Sequence, residues 1–173
     1  MTTDTSRHSG INSRYGSRLL WMLLVAACIV ILDQITKAFA VSALTYAVPH
    51  TVFPGFDLLL VHNPGAAFSF FSQAGGMQRW ALAGIAAGAS IFITVWLTRV
   101  PKTQLLLGVA LACILGGALG NLYDRVALGY VIDFISVYYR QWRFATFNVA
   151  DMALNVGAAL MVLDILRGKP AHE

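Results

Sequence analysis

Eight acidic side chains are spread over 173 residues, and two of them, Asp133 and Asp151, stand among apolar neighbours with no adjacent cation. Val131, Ile132, Phe134 and Ile135 flank the first; Val149, Ala150, Met152 and Ala153 flank the second. Burial without a fixed positive partner disfavours an ionised carboxyl. Two such carboxyls brought together cannot both ionise and share one proton. One then serves as base toward a water and the other as acid toward a carbonyl oxygen, which is the logic of aspartic-protease hydrolysis. Spacing alone is equally compatible with a proton relay or a structural hydrogen bond.

The remaining polar residues fall into sets with helical spacing. Asp33 and Lys37 are four apart and can pair. Asn121, Asp124 and Arg125 follow an i, i+3, i+4 pattern, and Asp124 reads as the structural partner of Arg125. Asn148, Asp151 and Asn155 are i, i+3, i+7 and form one stripe on a helix. Depth can be counted from basic anchors at ~1.5 Å per residue, which puts Asp33 roughly 22 Å beyond Arg18. Asn121 lies roughly 28 Å beyond Lys102, and Asp151 roughly 24 Å before Arg167. Three helices thus carry polar groups to one level of a bilayer, where an acid is costly unless it faces the bundle or water. Asp164 reads as an anchor beside Arg167, and Asp57 as a solvated loop residue.

The elements that must hold these residues are membrane spans. The chain is 58% hydrophobic and 12% charged, with mean hydropathy +0.68, far from the roughly 25% charge of a soluble domain. Four spans are expected, at about 19–41, 80–97, 105–122 and 147–166, near the length needed to cross a ~30 Å hydrocarbon core. They make one membrane domain, 19–167, between an unstructured polar tail, 1–18, and a short tail, 168–173. Gly84-x-x-x-Gly88 and Gly116-x-x-x-Gly120 suit close helix packing in lipid. The basic residues Arg7, Arg14, Arg18, Arg99, Lys102, Arg167 and Lys169 fall on one side, which the positive-inside rule makes cytoplasmic for both termini. Arg125, Arg140 and Arg143 then lie outside, hinting at a local role. The net charge of +4 flanks spans and forms no stripe, so nucleic acid is excluded as a partner.

Two outer segments remain. Asn63-Pro64-Gly65 punctuates two strand-like runs and reads as a hairpin on the membrane surface. Residues 130–147 are dense in aromatics, as at a membrane–water interface. Cys28 and Cys113 read as buried hydrophobes rather than a disulfide. The four histidines form no ligand pattern, so a metal site has little support. A proton-coupled transporter is the main rival, but the apolar lower halves of the second and third spans leave it no polar path. A metal-dependent phosphotransferase would favour acids one helical turn apart, and a serine-type protease a histidine within a span; neither is present.

Five stretches, in order, are similar to the bacterial lipoprotein signal peptidase family: DQITK at 33–37, NPGAAFS at 63–69, GGALGNLYDR at 116–125, GYVIDF at 129–134 and FNVAD at 147–151. The resemblance implies an all-α membrane bundle of four transmembrane helices with a small extracytoplasmic β-cradle and an interfacial aromatic segment. It implies an aspartic endopeptidase of the bacterial inner membrane, without metal or cofactor, facing the extracytoplasmic side; a monomer is expected. The implied substrates are prolipoproteins bearing a diacylglyceryl-cysteine, cut just before that cysteine. By matching motifs the catalytic pair is Asp133 and Asp151. Asn63, Asn121, Asp124, Arg125, Asn148, Asp33 and Lys37 would orient substrate or brace the site. Met152 departs from the small residue or serine often found there, which touches a subsite rather than the chemistry.

Overall fold

The computed structural model describes residues 6–65 and 77–168. In chain order the elements are α1 (Ser6–Ala43), β1 (His50–Phe53), β2 (Phe56–Asn63), α2 (Met77–Arg99), α3 (Leu105–Ala127), β3 (Val131–Tyr139), β4 (Trp142–Arg143) and α4 (Val149–Leu166). Among the described residues, four helices are long and apolar enough to cross a membrane: Arg18–Ala43 within α1, and the whole of α2, α3 and α4. Their outer faces carry large apolar side chains such as Phe39, Ile85, Ile91 and Ile165, all more than half exposed. Lipid replaces water as the partner of such a surface.

α3 is the central helix and packs against α1, α2 and α4. Near the terminal end of the bundle the core is apolar: Met22 and Ala26 of α1, Ile93 and Leu97 of α2, and Leu111, Ala112 and Leu115 of α3. Arg18 closes that end by donating to the carbonyls of Pro101 and Gln104 in the α2–α3 loop, at 2.5 and 2.8 Å. The opposite end holds the buried polar residues and the sheet.

Glycines set how closely the helices approach. A Cβ on Gly116 would lie 2.8 Å from Ile29 Cβ, and one on Gly120 would lie 2.8 Å from Asp33 Oδ2. A Cβ on Gly117 would overlap the carbonyl of Ala150 and sit 2.8 Å from Leu154 Cγ. The other glycine pair departs from expectation: Cβ atoms on Gly84 and Gly88 would meet nothing within 4 Å, because α2 turns that face outward. Gly117→Ala is therefore expected to cost about 1–3 kcal/mol through overpacking against backbone that cannot yield. Gly88→Ala should be neutral or gain about 0.5–1 kcal/mol from helix propensity. Melting the two variants side by side in one detergent checks this; equal shifts would mean that α3 and α4 are not in close contact.

The four strands form one antiparallel sheet in the order β1-β2-β3-β4. Pro54-Gly55 turns β1 into β2, with Gly55 at φ +96°, a backbone angle that favours glycine. β2 pairs with β3 in one register at Asp57↔Ser136 and Leu58↔Ile135, and in another, shifted by one residue, at Val61↔Asp133. β2 therefore carries a bulge between Leu58 and Val61.

Several expectations are corrected. α1 is helical from Ser6, so the polar residues expected to be unstructured extend the helix. No proline interrupts them, and propagation from a formed helix is easier than a new start. Residues 1–5 and 169–173 lie outside the described residues. α2 and α3 overrun their expected ends to Arg99 and Ala127, while α4 starts two residues late, at Val149. The hairpin lies at Pro54-Gly55; the second arm of the one expected about Asn63-Pro64-Gly65, with the rest of NPGAAFS, falls outside the described residues. The aromatic segment at 130–147 is largely β3 and β4, with Tyr139, Trp142 and Phe144 pointing outward. Asp57 is not in a loop but on β2, 2% exposed.

Candidate active site

Where the sheet meets the helices, one residue holds both acids. Asn148 is the N-cap of α4: its side-chain oxygen accepts from the Asp151 backbone N–H at 2.9 Å, and its own N–H donates to Asp151 Oδ2 at 3.3 Å. This is a capping box with aspartate as its acid. The Asn148 amide nitrogen points the other way and donates to Asp133 Oδ1 at 2.6 Å. It lies 3.2 Å from both Ile132 O and Asn121 Oδ1; an amide has two protons, so three acceptors share them. Asn148 thus stands outside the helical stripe expected for it.

Asp133 projects from β3 and is 1% exposed. Its second oxygen accepts from Asn63 Nδ2 at 2.9 Å, while Asn63 Oδ1 accepts from the Gly65 N–H at 2.9 Å. The Asn63-Pro64-Gly65 turn is therefore both a turn and a ligand of the acid. Burial pushes the Asp133 carboxyl up to about 6, and the nearby Asp151 charge adds to this. The amides of Asn63 and Asn148, and Lys37 at longer range, oppose the rise. Desolvation wins because these donors only partly replace lost water. Asp151, on the first turn of α4, is half-buried and accepts from Asn121 Nδ2 at 2.7 Å.

Beneath the two acids lies a buried charged cluster. Lys37 Nζ is 2.7 Å from Asp33 Oδ2 and 2.8 Å from Asp124 Oδ2, with all three side chains at most 1% exposed. It also donates to Asn121 Oδ1 at 3.1 Å, so all three ammonium protons are used. Asp33 reaches up to the Ala150 N–H of α4 at 2.9 Å. Asp124 accepts the Ile132 N–H of β3 at 3.1 Å. The lysine therefore anchors two carboxylates, one tethered to the helix that bears Asp151 and the other to the strand that bears Asp133. The pairing of Asp33 with Lys37 agrees with the spacing. Asp124 pairs with Lys37, not with Arg125, because adjacent residues on a helix diverge by about 100°. Arg125 donates to Asn121 O at 3.2 Å and lies in the field of Asp151, Asp133 and Asp124.

All nine residues singled out in the sequence converge at this end of the bundle. Sequence reasoning missed Gln34, whose amide bridges Asp33 at 3.1 Å and Asp124 at 2.9 Å; an uncharged polar residue within a span was the available signal. It also missed the partners of Asp57: Arg143 at 2.7 Å and Thr51 at 2.8 Å. Among the described residues, no three His, Cys, Asp or Glu side chains are grouped to hold a metal ion.

Residues 25–167 match the family model for signal peptidase (SPase) II. A lipoprotein signal peptidase of Teredinibacter turnerae is 50% identical over 83% of this chain and 86% of that protein. Those of Acinetobacter baumannii, 49% identical over 93% and 91%, and Ectopseudomonas mendocina, 47% identical over 94% and 96%, extend further. Two solved structures of bacterial membrane enzymes share the fold with TM-scores of 0.76. One is 28% identical, covering 88% of this chain and 93% of that one; the other is 29% identical, covering 86% and 94%. The span matched by the family model takes in the whole polar cluster from Asp33 to Asp151, and the chain belongs to the signal peptidase II family, a family of peptidases.

Proposed function

We propose that this peptidase removes the signal peptide from diacylglyceryl-modified prolipoproteins by aspartic hydrolysis, cutting just before the lipidated cysteine, with Asp133 and Asp151 as the catalytic pair. The observation that carries the reading is Asn148, whose side-chain amide donates to the Asp133 carboxyl while its side-chain oxygen accepts from the Asp151 N–H and its backbone N–H donates to the Asp151 carboxyl. Asp133, with its raised pKa, carries the shared proton and donates toward the scissile carbonyl oxygen. Ionised Asp151, the more open of the two, takes a proton from water as its oxygen attacks the carbonyl carbon. The gem-diol intermediate collapses when the proton on Asp151 passes to the departing amine and the hydroxyl that took the Asp133 proton returns it to Asp133 as the carbonyl re-forms. No acyl-enzyme forms. Acid–base help of this kind contributes typically 10²–10⁴-fold.

Arg18, Arg99, Lys102 and Arg167 at the terminal end support cytoplasmic termini and an outward-facing site. Outer-leaflet acyl chains on the substrate cysteine would then hold the scissile bond at the level of the pair, where Asn63 and Arg125 are suited to binding substrate backbone or lipid ester. Both acids come from one chain, which suits a monomer. The polar cluster is confined to one end above an apolar core, which disfavours a proton pathway.

The test is cleavage of a diacylglyceryl prolipoprotein, beside its unlipidated form, by purified protein in lipid with a chelator present. Cleavage of the lipidated form alone, before the cysteine and indifferent to chelator, is expected. No cleavage in lipid or detergent would revive the transporter reading. The same assay gives the pH dependence. kcat/KM reports the free enzyme, so it should descend above about pH 6 as Asp133 loses its proton. A profile flat from pH 5 to about 8 would assign the proton elsewhere.

A further inference from the structure

We infer that Arg143, bound to Asp57 and Ser136, is a positioning residue that sets the separation of the two acids; this rests on the assignment of Asp133 and Asp151 proposed above. β4 is only two residues long and makes two pairings with β3, Tyr138↔Arg143 and Tyr139↔Trp142. So short a ladder does little to hold the chain that follows it. The Arg143 side chain does more. One guanidinium nitrogen donates to Ser136 Oγ at 2.5 Å and another to Asp57 Oδ2 at 2.7 Å. The other Asp57 oxygen accepts from Thr51 at 2.8 Å. The group spans Thr51 of β1, Asp57 of β2, Ser136 of β3 and Arg143 of β4: one residue from each strand. The guanidinium also lies 5.0 Å from the centre of the Tyr138 ring.

Two features connect this latch to the acids. First, Asp57 and Ser136 are direct cross-strand partners on the far side of the β2 bulge from Val61↔Asp133. A slip of one residue reverses the face of every side chain, and here it would take Asn63 away from Asp133. Second, four residues separate Arg143 from Asn148. Within them Phe144 N donates to Val137 O at 2.9 Å, and Phe147 exchanges hydrogen bonds with Ile135 at 2.9 and 3.0 Å. The chain then delivers Asn148 to Asp133 and to the first turn of α4. The latch therefore fixes one end of the connection whose other end sets the geometry of Asp133, Asn148 and Asp151.

Its contribution to stability should be small. The arginine side chain is 39% exposed, which screens the pair from its side, and Asp57, 3% exposed, keeps its Thr51 donor when the arginine is lost. Misplacement of reacting groups by about 1 Å, in contrast, can cost 10²-fold. The experiment is steady-state cleavage of the diacylglyceryl substrate in lipid by the full chain carrying Arg143→Gln, Arg143→Lys, Ser136→Ala or, in parallel, Asp133→Asn. Arg143→Gln is expected to lower kcat about tenfold or more, with KM within about twofold of the parent. Its melting point should fall by no more than about 4 °C. Arg143→Lys restores the ion pair and should recover part of the loss; Ser136→Ala, which removes one arm of the fork, should fall between. Parent-like kcat in Arg143→Gln overturns the inference, as does a loss that appears in KM or that tracks melting. If Arg143→Gln does not fold, unchanged kcat in Ser136→Ala overturns it. An active Asp133→Asn would instead bring down the catalytic assignment itself.

Discussion

Asp133→Asn and Asp151→Asn are each expected to fold, insert and bind substrate, and to cleave it 10²–10⁴-fold more slowly or not at all, the range that acid–base groups contribute. The two should differ in structural cost. Both Asp133 oxygens accept from amides, Asn63 and Asn148, and an asparagine offers only one acceptor oxygen. One of those donors would then face another donor, at a cost of about 1–3 kcal/mol. Among the described residues Asp151 accepts well only from Asn121, its contact with the Asn148 N–H being long at 3.3 Å. Asp151→Asn should therefore melt close to the parent. In rate, the variants should be alike, and the double variant no worse than either single one, because groups that act as a unit are non-additive. Single-turnover cleavage at saturating substrate, with melting points for all four proteins, decides the matter. Rate losses that multiply in the double variant would mean two independent roles. Full activity in either single variant would mean a wrong assignment. Asp124 would be a poor replacement, since Lys37 and the Ile132 N–H already occupy it.

What could be read from the sequence followed the range of the forces involved. Helices are local, so long apolar runs disclosed all four spans, and basic anchors placed Asp33, Asn121 and Asp151 at a common level. Their convergence needed no knowledge of which helices touch. The sheet was a different matter. Val131–Phe134 of β3 are buried on both faces, so the strand shows no alternation and reads only as an apolar run. Its partner β2 lies about 70 residues earlier, and no local signal announces such pairing. Asp57 was misread for the same reason: its cation arrives from a strand 86 residues away. Asp124 was assigned to its neighbour in sequence when its partner lies on another helix. Asn148 looked like part of a helical stripe, yet an asparagine three residues before an acid and ahead of an apolar run is equally an N-cap signature, and that is its use. The positions of the acids were legible; the hydrogen bonds that hold them arise mostly between distant segments.

Replacing Lys37 by methionine tests the buried cluster most severely. The change keeps most of the volume and removes the only ion-pair partner that Asp33 and Asp124, both fully buried, have among the described residues. Breaking a buried ion pair from one side costs about 3–5 kcal/mol, because charge is left without compensation. For a chain of this size that corresponds to a fall of roughly 6–20 °C in melting point. Activity should fall further than stability, since Asp33 holds the Ala150 N–H of the helix bearing Asp151, and Asp124 holds the Ile132 N–H of the strand bearing Asp133. The discriminating variant is the triple Lys37→Met, Asp33→Asn, Asp124→Asn. It removes all the charge together while its amide oxygens can still accept from those two backbone groups. Buried ion pairs replaced as a set are often neutral for stability, so the triple variant should regain most of the lost melting point. If it melts as low as Lys37→Met, the loss comes from packing around the lysine rather than from unpaired charge. If Lys37→Met melts like the parent, the lysine neither neutralises nor braces, and Arg125 is the next cation to test. Recovery of stability without recovery of cleavage would separate the two roles: neutral amides suffice to hold the elements together, while the field of the lysine is needed where the acids react.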